Sequence, residues 1–211
     1  MTTPDPNNDT VDLSLYNTDL ITGLNILPAA DSLFYVQLNE PGSGSLKVSA
    51  ASTASTALSS GQFVRTKYRG ALRGGFFVEN INETIANSGE SGELYKSISG
   101  RGALALLDDA IVWDDGTTST KRTFTAVTKA SILITLITEA KARGALSALV
   151  YDFTAVIDTR AVAWTDSETM ELQVGRSLLD VVRDMADLGI DFNVTVNTNG
   201  TFTLSAYKAA Y

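Results

Sequence analysis

The 211-residue chain contains neither cysteine nor histidine. Without thiols there is no disulfide and no thiolate nucleophile, and without imidazole there is no Ser-His-Asp triad and no histidine zinc site. Most common hydrolase mechanisms go with them. Carboxylate chemistry, a Ser-Lys pair or an all-oxygen metal site remain, but none has a matching motif: Asp108, Asp109, Asp114 and Asp115 lack the D-x-D-x-D-G spacing of a calcium loop. A carboxylate pair for glycoside hydrolysis is set by the fold and not by spacing, so that chemistry stays open at this stage. Acidic pairs near a strand end are usually solvated caps or turn residues. The chain reads as a non-enzyme with no cofactor and no metal.

Two further features are scarce. No stretch approaches the ~20 apolar residues of a membrane helix, and the N-terminal MTTPDPNNDT has neither the basic nor the apolar region of a signal peptide. Synthesis in the cytoplasm without a membrane anchor is the expectation. Basic residues are outnumbered 16 to 24 by acidic ones, giving a net charge of −8 and a sequence pI near 4.5. That balance argues against nucleic acid or an anionic membrane as the main partner. At 44% hydrophobic and 19% charged, the chain can bury a core and form one or two domains.

Residues 94–115, LYKSISGRGALALLDDAIVWDD, compress a strand, a glycine-bracketed turn, a short helix and a second strand into one unit that needs a sheet to lie against. Gly100, Gly102 and Ala105 also fit the G-x-G-x-x-A of a dinucleotide turn. The context rejects it, because Ile111 to Trp113 follows too soon and no carboxylate stands about 20 positions on.

Earlier in the chain, Met1 to Thr10 reads as mobile or extended, and Leu13 to Leu27 as either an arm that orders on a neighbour or an irregular edge segment. The alternation through Phe34, Val36 and Leu38 resumes at Leu46 and Val48, which predicts a hairpin turning at Pro41-Gly42-Ser43-Gly44. The small-residue run at 49–61 predicts an exposed loop. Gly74-Gly75 allows a bend or bulge, and residues 80–93 read as a polar connection.

Later, Leu133, Leu136, Ile137 and Ala140 give a helical period over 128–143, closed by Gly144. Residues 146–157 hold a buried turn or strand. Met170, Leu172 and Val174 alternate inward, and Ser177 with Asp180 caps a helix over 178–188 that stops at Gly189. In the last hairpin, a three-residue loop Thr198-Asn199-Gly200 keeps the apolar side chains on one face, whereas a two-residue Asn199-Gly200 turn splits them.

Gly100-Arg101-Gly102-Ala103, Leu106-Leu107-Asp108-Asp109 and Ile111-Val112 resemble the G-R-G turn, A-L-L-D-D helix and I-V strand of hub, or minor tail, proteins at the tail tip of long-tailed bacteriophages. The stretch from Arg176 to Tyr207, with its S-L-L-D-V-V helix, G-I-D-F strand and F-T-L-S hairpin, resembles the same proteins, so that about half the chain is covered. Together with the predicted strands and helices, the resemblance implies a β-dominated α+β fold: an N-terminal arm (1–30), an antiparallel β-barrel-like hub domain (31–122), and a helix-and-hairpin domain (123–211) that continues or completes it. It implies a virion structural protein, assembled in the host cytoplasm, that forms a baseplate-hub-like ring. Such a ring, a homotrimer, joins the tail tube to the tip and surrounds the tape-measure and genome channel. Its partners would be further copies of itself, a distal tail or tail tube protein, the tape measure protein and other tip proteins. Hub proteins are usually longer, so the chain is expected to be a compact version or a part of one.

The candidate contact residues are Arg65, Lys67, Arg69 and Arg73, opposite Val64, Thr66, Tyr68 and Leu72 on a predicted strand. They form the one basic patch in an acidic chain. They suit an acidic surface on an identical subunit or a tail neighbour; as plain structure they are a solvated strand face or an edge guarded by charge. The alternative function is a β-rich adhesin or carbohydrate-binding module, whose sign would be clustered exposed aromatics. Trp113 and Trp164 sit in apolar runs and are expected to be buried. A glycosidase or peptidase would show a cleft with perturbed carboxylates.

Overall fold

The computed structural model describes residues 11–18, 20, 23–26, 29–86, 93–114, 116 and 120–209. The first ten residues and the glycine-rich linker at 87–92, read above as extended or polar, lie outside them. The chain divides into two compact units. Unit 1 takes in the described residues up to Val36, Pro41–Ala103 and Val196–Thr201, and unit 2 takes in Gln37–Glu40, Leu104–Thr195 and the described residues from Phe202. The fold is β-dominated α+β.

Unit 1 is built from β1 (Val11–Tyr16), β2 (Gly23–Ile26), β3 (Ala29–Gln37), β4 (Glu40–Ser49), the single-turn helix α1 (Thr53–Thr56), β5 (Phe63–Tyr68), β6 (Ala71–Phe77), β7 (Asn80–Ala86) and β8 (Glu93–Arg101). Two four-stranded sheets result, ordered β2-β1-β5-β6 and β3-β4-β8-β7. Leu13, Leu15, Val64 and Phe76 from the first and Leu46, Val48 and Ile98 from the second bury one shared core, with Val78 between them. The chain changes sheets at that residue. Val78 exchanges backbone hydrogen bonds with Gly61 and Gln62, whereas the next N–H, Glu79, donates to Ser99. A barrel needs a continuous ladder around its whole circumference. Among the described residues a single bridge, Phe76↔Gly102, spans the change, so the sheets are open and not barrel-closed.

Several local expectations are revised by this packing. Residues 11–16, read as an arm or irregular edge, form β1 between β2 and β5, with Leu13 and Leu15 buried. The β3–β4 turn is Leu38-Asn39, where Asn39 takes φ 62°, and Pro41 to Gly44 lie inside β4. Asparagine tolerates the left-handed region better than other residues with a side chain. Glycine at 44 serves packing instead: a Cβ there would fall 2.0 Å from the ring of Phe76. The 49–61 run is not simply an exposed loop, because Ser55 is buried and its hydroxyl donates to the Ala50 carbonyl. Residues 80–86 pair with β8 as a strand rather than forming a connection. The register slip expected near Gly74-Gly75 is present, with Thr66 opposite Gly74 and Lys67 opposite Leu72, so that Arg73 is the bulged residue.

Unit 2 opens with a 3-10 helix (Ala103–Asp109, its first residue still in unit 1) and continues through β9 (Lys121–Val127), α2 (Lys129–Ala142), β10 (Leu149–Tyr151), β11 (Glu168–Gln173), α3 (Leu178–Asp187), β12 (Ile190–Val196) and β13 (Phe202–Lys208). β11 pairs with β9, and β10-β13-β12 form a second sheet in which β10 runs parallel to β13. Ser177 caps α3 as its sequence predicts, its Oγ accepting from Asp180 N–H, and Thr128 Oγ1 caps α2 in the same manner by accepting from Ser131 N–H. The last hairpin closes with the Asn197 N–H donating to Thr201 C=O at 2.8 Å around the three-residue loop, and Gly200 takes φ 89°.

Residues 111–113 are not a strand. Val112 exchanges backbone bonds with Arg176 and Gly175, and the Leu178 N–H donates to Ala110. The two stretches that carry the family resemblance are therefore hydrogen-bonded to each other.

Candidate interaction surfaces

The four basic residues of the predicted strand separate once the hairpin forms. Arg65 is 3% exposed. Its guanidinium donates to the carbonyls of Thr198 (3.1 Å) and Leu20 (3.2 Å) and lies 3.9 Å from the ring centre of Tyr16. It is an internal anchor of unit 1, not a contact residue. The cause is that β5 is interior to its sheet and covered on both faces, which a period-2 pattern with one basic side does not reveal. Lys67 is half-buried. Arg69 and Arg73 are exposed at the end of the β5–β6 hairpin, where Arg69 takes φ 51°, Gly70 follows at φ 75°, and Arg69 lies over the ring of Tyr68. The usable cationic surface is thus the hairpin end.

Two apolar surfaces were hidden from sequence reasoning. The first is β3, an edge strand on which Leu33 is 69% exposed and Tyr35 and Val36 are each more than half exposed. The alternation through Phe34, Val36 and Leu38 does not mark it as an edge; the sheet order does, and Val36 and Leu38 are more than half exposed. The second is the ridge Asp108 to Asp114. Ala110 and Val112 are buried, while Ile111 is partly exposed and Trp113, expected to be buried, is 49% exposed. Arg143 lies 5.2 Å from the Trp113 ring centre and donates to the Ile111 carbonyl. The β-prone letters concealed this alternation because residues 110–112 pair with the irregular stretch 175–178 and not with a strand of a sheet.

Electrostatics in unit 2 are organised around arginine–carboxylate pairs. Arg183 binds Glu40 through two nitrogens, at 2.6 and 3.0 Å, and also reaches Asp180. Hydrogen bonding to Glu40 raises its affinity for the proton, outweighing the opposing effect of burial. Arg176 pairs with Asp184, whose hydrogen bond raises that guanidinium in the same sense. Asn39 completes the attachment of its hairpin end, with its Oδ1 accepting from Phe192 N–H at 2.6 Å and its own N–H donating to the Phe192 carbonyl. Lys129 is buried against the Glu168 carboxylate and the Leu188 carbonyl. It lines a pocket of about 360 Å³ together with Trp164, Asp166, Asp187 and Lys208.

Asp158 anchors the 152–164 excursion. Its side chain is fully buried and accepts from the N–H groups of Arg160, Val162 and Lys208. Burial, the largest single influence, pushes its carboxyl up. The three backbone donors and the Arg160 charge together outweigh that and hold it below the usual carboxylate range.

Among the described residues, no group of acidic side chains is arranged to hold a metal ion, and no helix is long and apolar enough to cross a membrane.

No protein-family model matches the sequence, and no curated protein matches it. The fold does match solved structures. The 43 kDa tail protein of prophage MuSo2 from Shewanella oneidensis superposes over 93% of this chain with a TM-score of 0.53 at 15% identity. A tail protein from Neisseria meningitidis MC58 superposes over 92% with a TM-score of 0.50 at 11% identity. The chain spans 55% and 50% of the lengths of those two proteins. At the level of class, the fold is β-dominated α+β and is like that of these two tail proteins. The likeness to the prophage MuSo2 protein and to the Neisseria protein is one of fold.

Proposed function

We propose that the chain is a structural component of a phage tail in the virion, and within the tail a hub ring, a homotrimer, that joins the tube to the tip around the tape-measure and genome channel. The observation that carries the reading is the superposition on two tail proteins along nearly the whole chain. The local resemblance to hub proteins supports the finer position, because its two stretches are joined by backbone hydrogen bonds in unit 2. Exposed cationic and apolar surfaces are what an assembling subunit needs, so the mechanism is assembly and not catalysis. Partners would be further copies, the tube or distal tail protein and the tape measure protein.

Light scattering across a concentration series, followed by electron microscopy of the largest species, tests this reading. A trimeric ring is the expected outcome. Stable particles without a central opening would overturn the ring.

A carbohydrate-binding module is the second reading, and one observation favours it: the pocket of about 360 Å³ that combines an indole, two lysines and two carboxylates. A saccharide titration followed by tryptophan fluorescence decides it, with binding lost in Trp164→Ala.

A further inference from the structure

We propose that unit 1 carries a binding face for an anionic glycan, a polyhydroxyl chain bearing carboxylate or phosphate groups. The face is the outer side of the sheet β3-β4-β8-β7. It does not depend on the ring reading, and its groove shares no lining residue with the Trp164 pocket.

Strand register builds the face. Leu46, Val48 and Ile98 point into the core, so their neighbours along each strand point out. Pairing sets Ser45 beside Ser99 and Ser99 beside Asn80 in one row, and Lys47 beside Ser97 and Ser97 beside Asn82 in the next. With strands about 4.8 Å apart and alternate residues about 7 Å apart, the two rows form a grid of hydroxyl, amide and ammonium groups on a hydrogen-bonded support. Ser97 already has an interaction within the chain. The side chains of Ser45, Lys47, Asn80, Asn82 and Ser99 make no hydrogen bond or ion pair among the described residues. Their bonds go to solvent, and ligand hydroxyls can take the place of those waters without leaving a group unpaired.

Two features set this face apart from an ordinary solvated one. The first is its concavity: Ser32, Leu33, Ser45, Lys47, Asn82 and Ser99 wall a groove of about 210 Å³. Exposed Leu33 offers an apolar wall to the C–H face of a sugar ring, while the polar side chains meet its hydroxyls. The second is the sign of its charge. The chain has 24 acidic residues, yet none lines the groove. Glu79 is bonded to Arg101 at 2.7 Å, and Glu83, next to Asn82, falls on the opposite face of the strand, 3.8 Å from Lys96. Lys47 is left as an exposed ammonium with no counter-ion among the described residues, beside hydroxyls and an amide. Charge-assisted hydrogen bonds from such an ammonium are the stronger kind, so an oxyanion on a polyhydroxyl chain fits the groove better than a neutral sugar.

The test is calorimetric titration of the full chain with three probes: oligogalacturonate, poly(glycerol phosphate) and a neutral galactose oligomer. Saturable binding of at least one anionic polymer is expected, and the one that binds more tightly names carboxylate or phosphate as the recognised group. The neutral oligomer should bind at least about tenfold more weakly. Lys47→Gln is expected to raise the dissociation constant at least about tenfold and Asn82→Ala several-fold, both with an unchanged circular dichroism melt. Arg73→Gln, which removes an exposed cation outside the groove, should leave it unchanged. Absence of saturable binding by either anionic polymer overturns the proposal, as does equal binding of the neutral oligomer. Binding that falls equally in Lys47→Gln and Arg73→Gln is attraction to charge alone and overturns it too. Binding that survives both groove variants but is lost in Trp164→Ala overturns this face while the carbohydrate-module reading stands. The ring reading is decided separately, by the light scattering above.

Discussion

Arg65 and Arg69 stand four positions apart and look equivalent as letters, yet burial gives them opposite roles. Arg65→Glu would set a buried carboxylate against two carbonyl oxygens and the negative face of Tyr16. A loss of more than about 4 kcal/mol is expected in urea unfolding. Arg69→Glu, at the exposed end, should stay within about 0.5 kcal/mol. Thr66, next to Arg65, has a buried hydroxyl without a hydrogen-bond partner among the described residues, and the Arg65 Nε likewise has none. Thr66→Val is expected to raise the melting temperature, since it removes an unmade bond at nearly constant volume. Asp158 gives the pH dependence. Its carboxyl is depressed in the fold, so its stabilisation is complete above the ordinary carboxylate value near 3.8 and is lost as pH falls through the lower, folded one. Asp158→Asn should cost about 1.5–3 kcal/mol at neutral pH and flatten the acid limb of the stability curve, as read from urea midpoints between pH 2 and 7.

Elements were legible where their signals are local. The cap at Ser177 and the loop closed by Gly200 are decided by a few neighbouring residues, and the structure has them where the spacing puts them. Strands were less legible, because a strand's role depends on what lies beside it. The β-prone Ile111 to Trp113 pairs by an isolated bridge with Ser177 and not with a strand, and becomes a ridge, while the polar residues 80–86 pair with β8 and become a strand. Glycine shows the same dependence. Gly44 reads as a turn residue but is the place where the Phe76 ring from the other sheet comes down. Gly44→Ala is therefore expected to cost about 1–3 kcal/mol by displacing that ring, which a urea midpoint would register.

At the scale of the molecule, the compact units do not follow the order of the chain. Residues 37–40 belong with unit 2 and residues 196–201 with unit 1. A fragment beginning at Leu104 would lack Asn39 and Glu40, leaving Arg183 and the Phe192 backbone without the bonds they make in the whole chain. It is expected to melt at lower temperature than the full protein, as followed by circular dichroism. Composition alone determined the chemistry this chain cannot perform, because a side chain that is absent has no geometry to discover. Local periodicity and capping residues determined the helices, the closing hairpin and the β-rich class, since those signals act over a few residues. The sheet order, the burial of Arg65 and the exposure of Trp113 and β3 were decided only by tertiary structure. They depend on which distant segments come to lie against one another, and a face is inner or outer only after that choice is made.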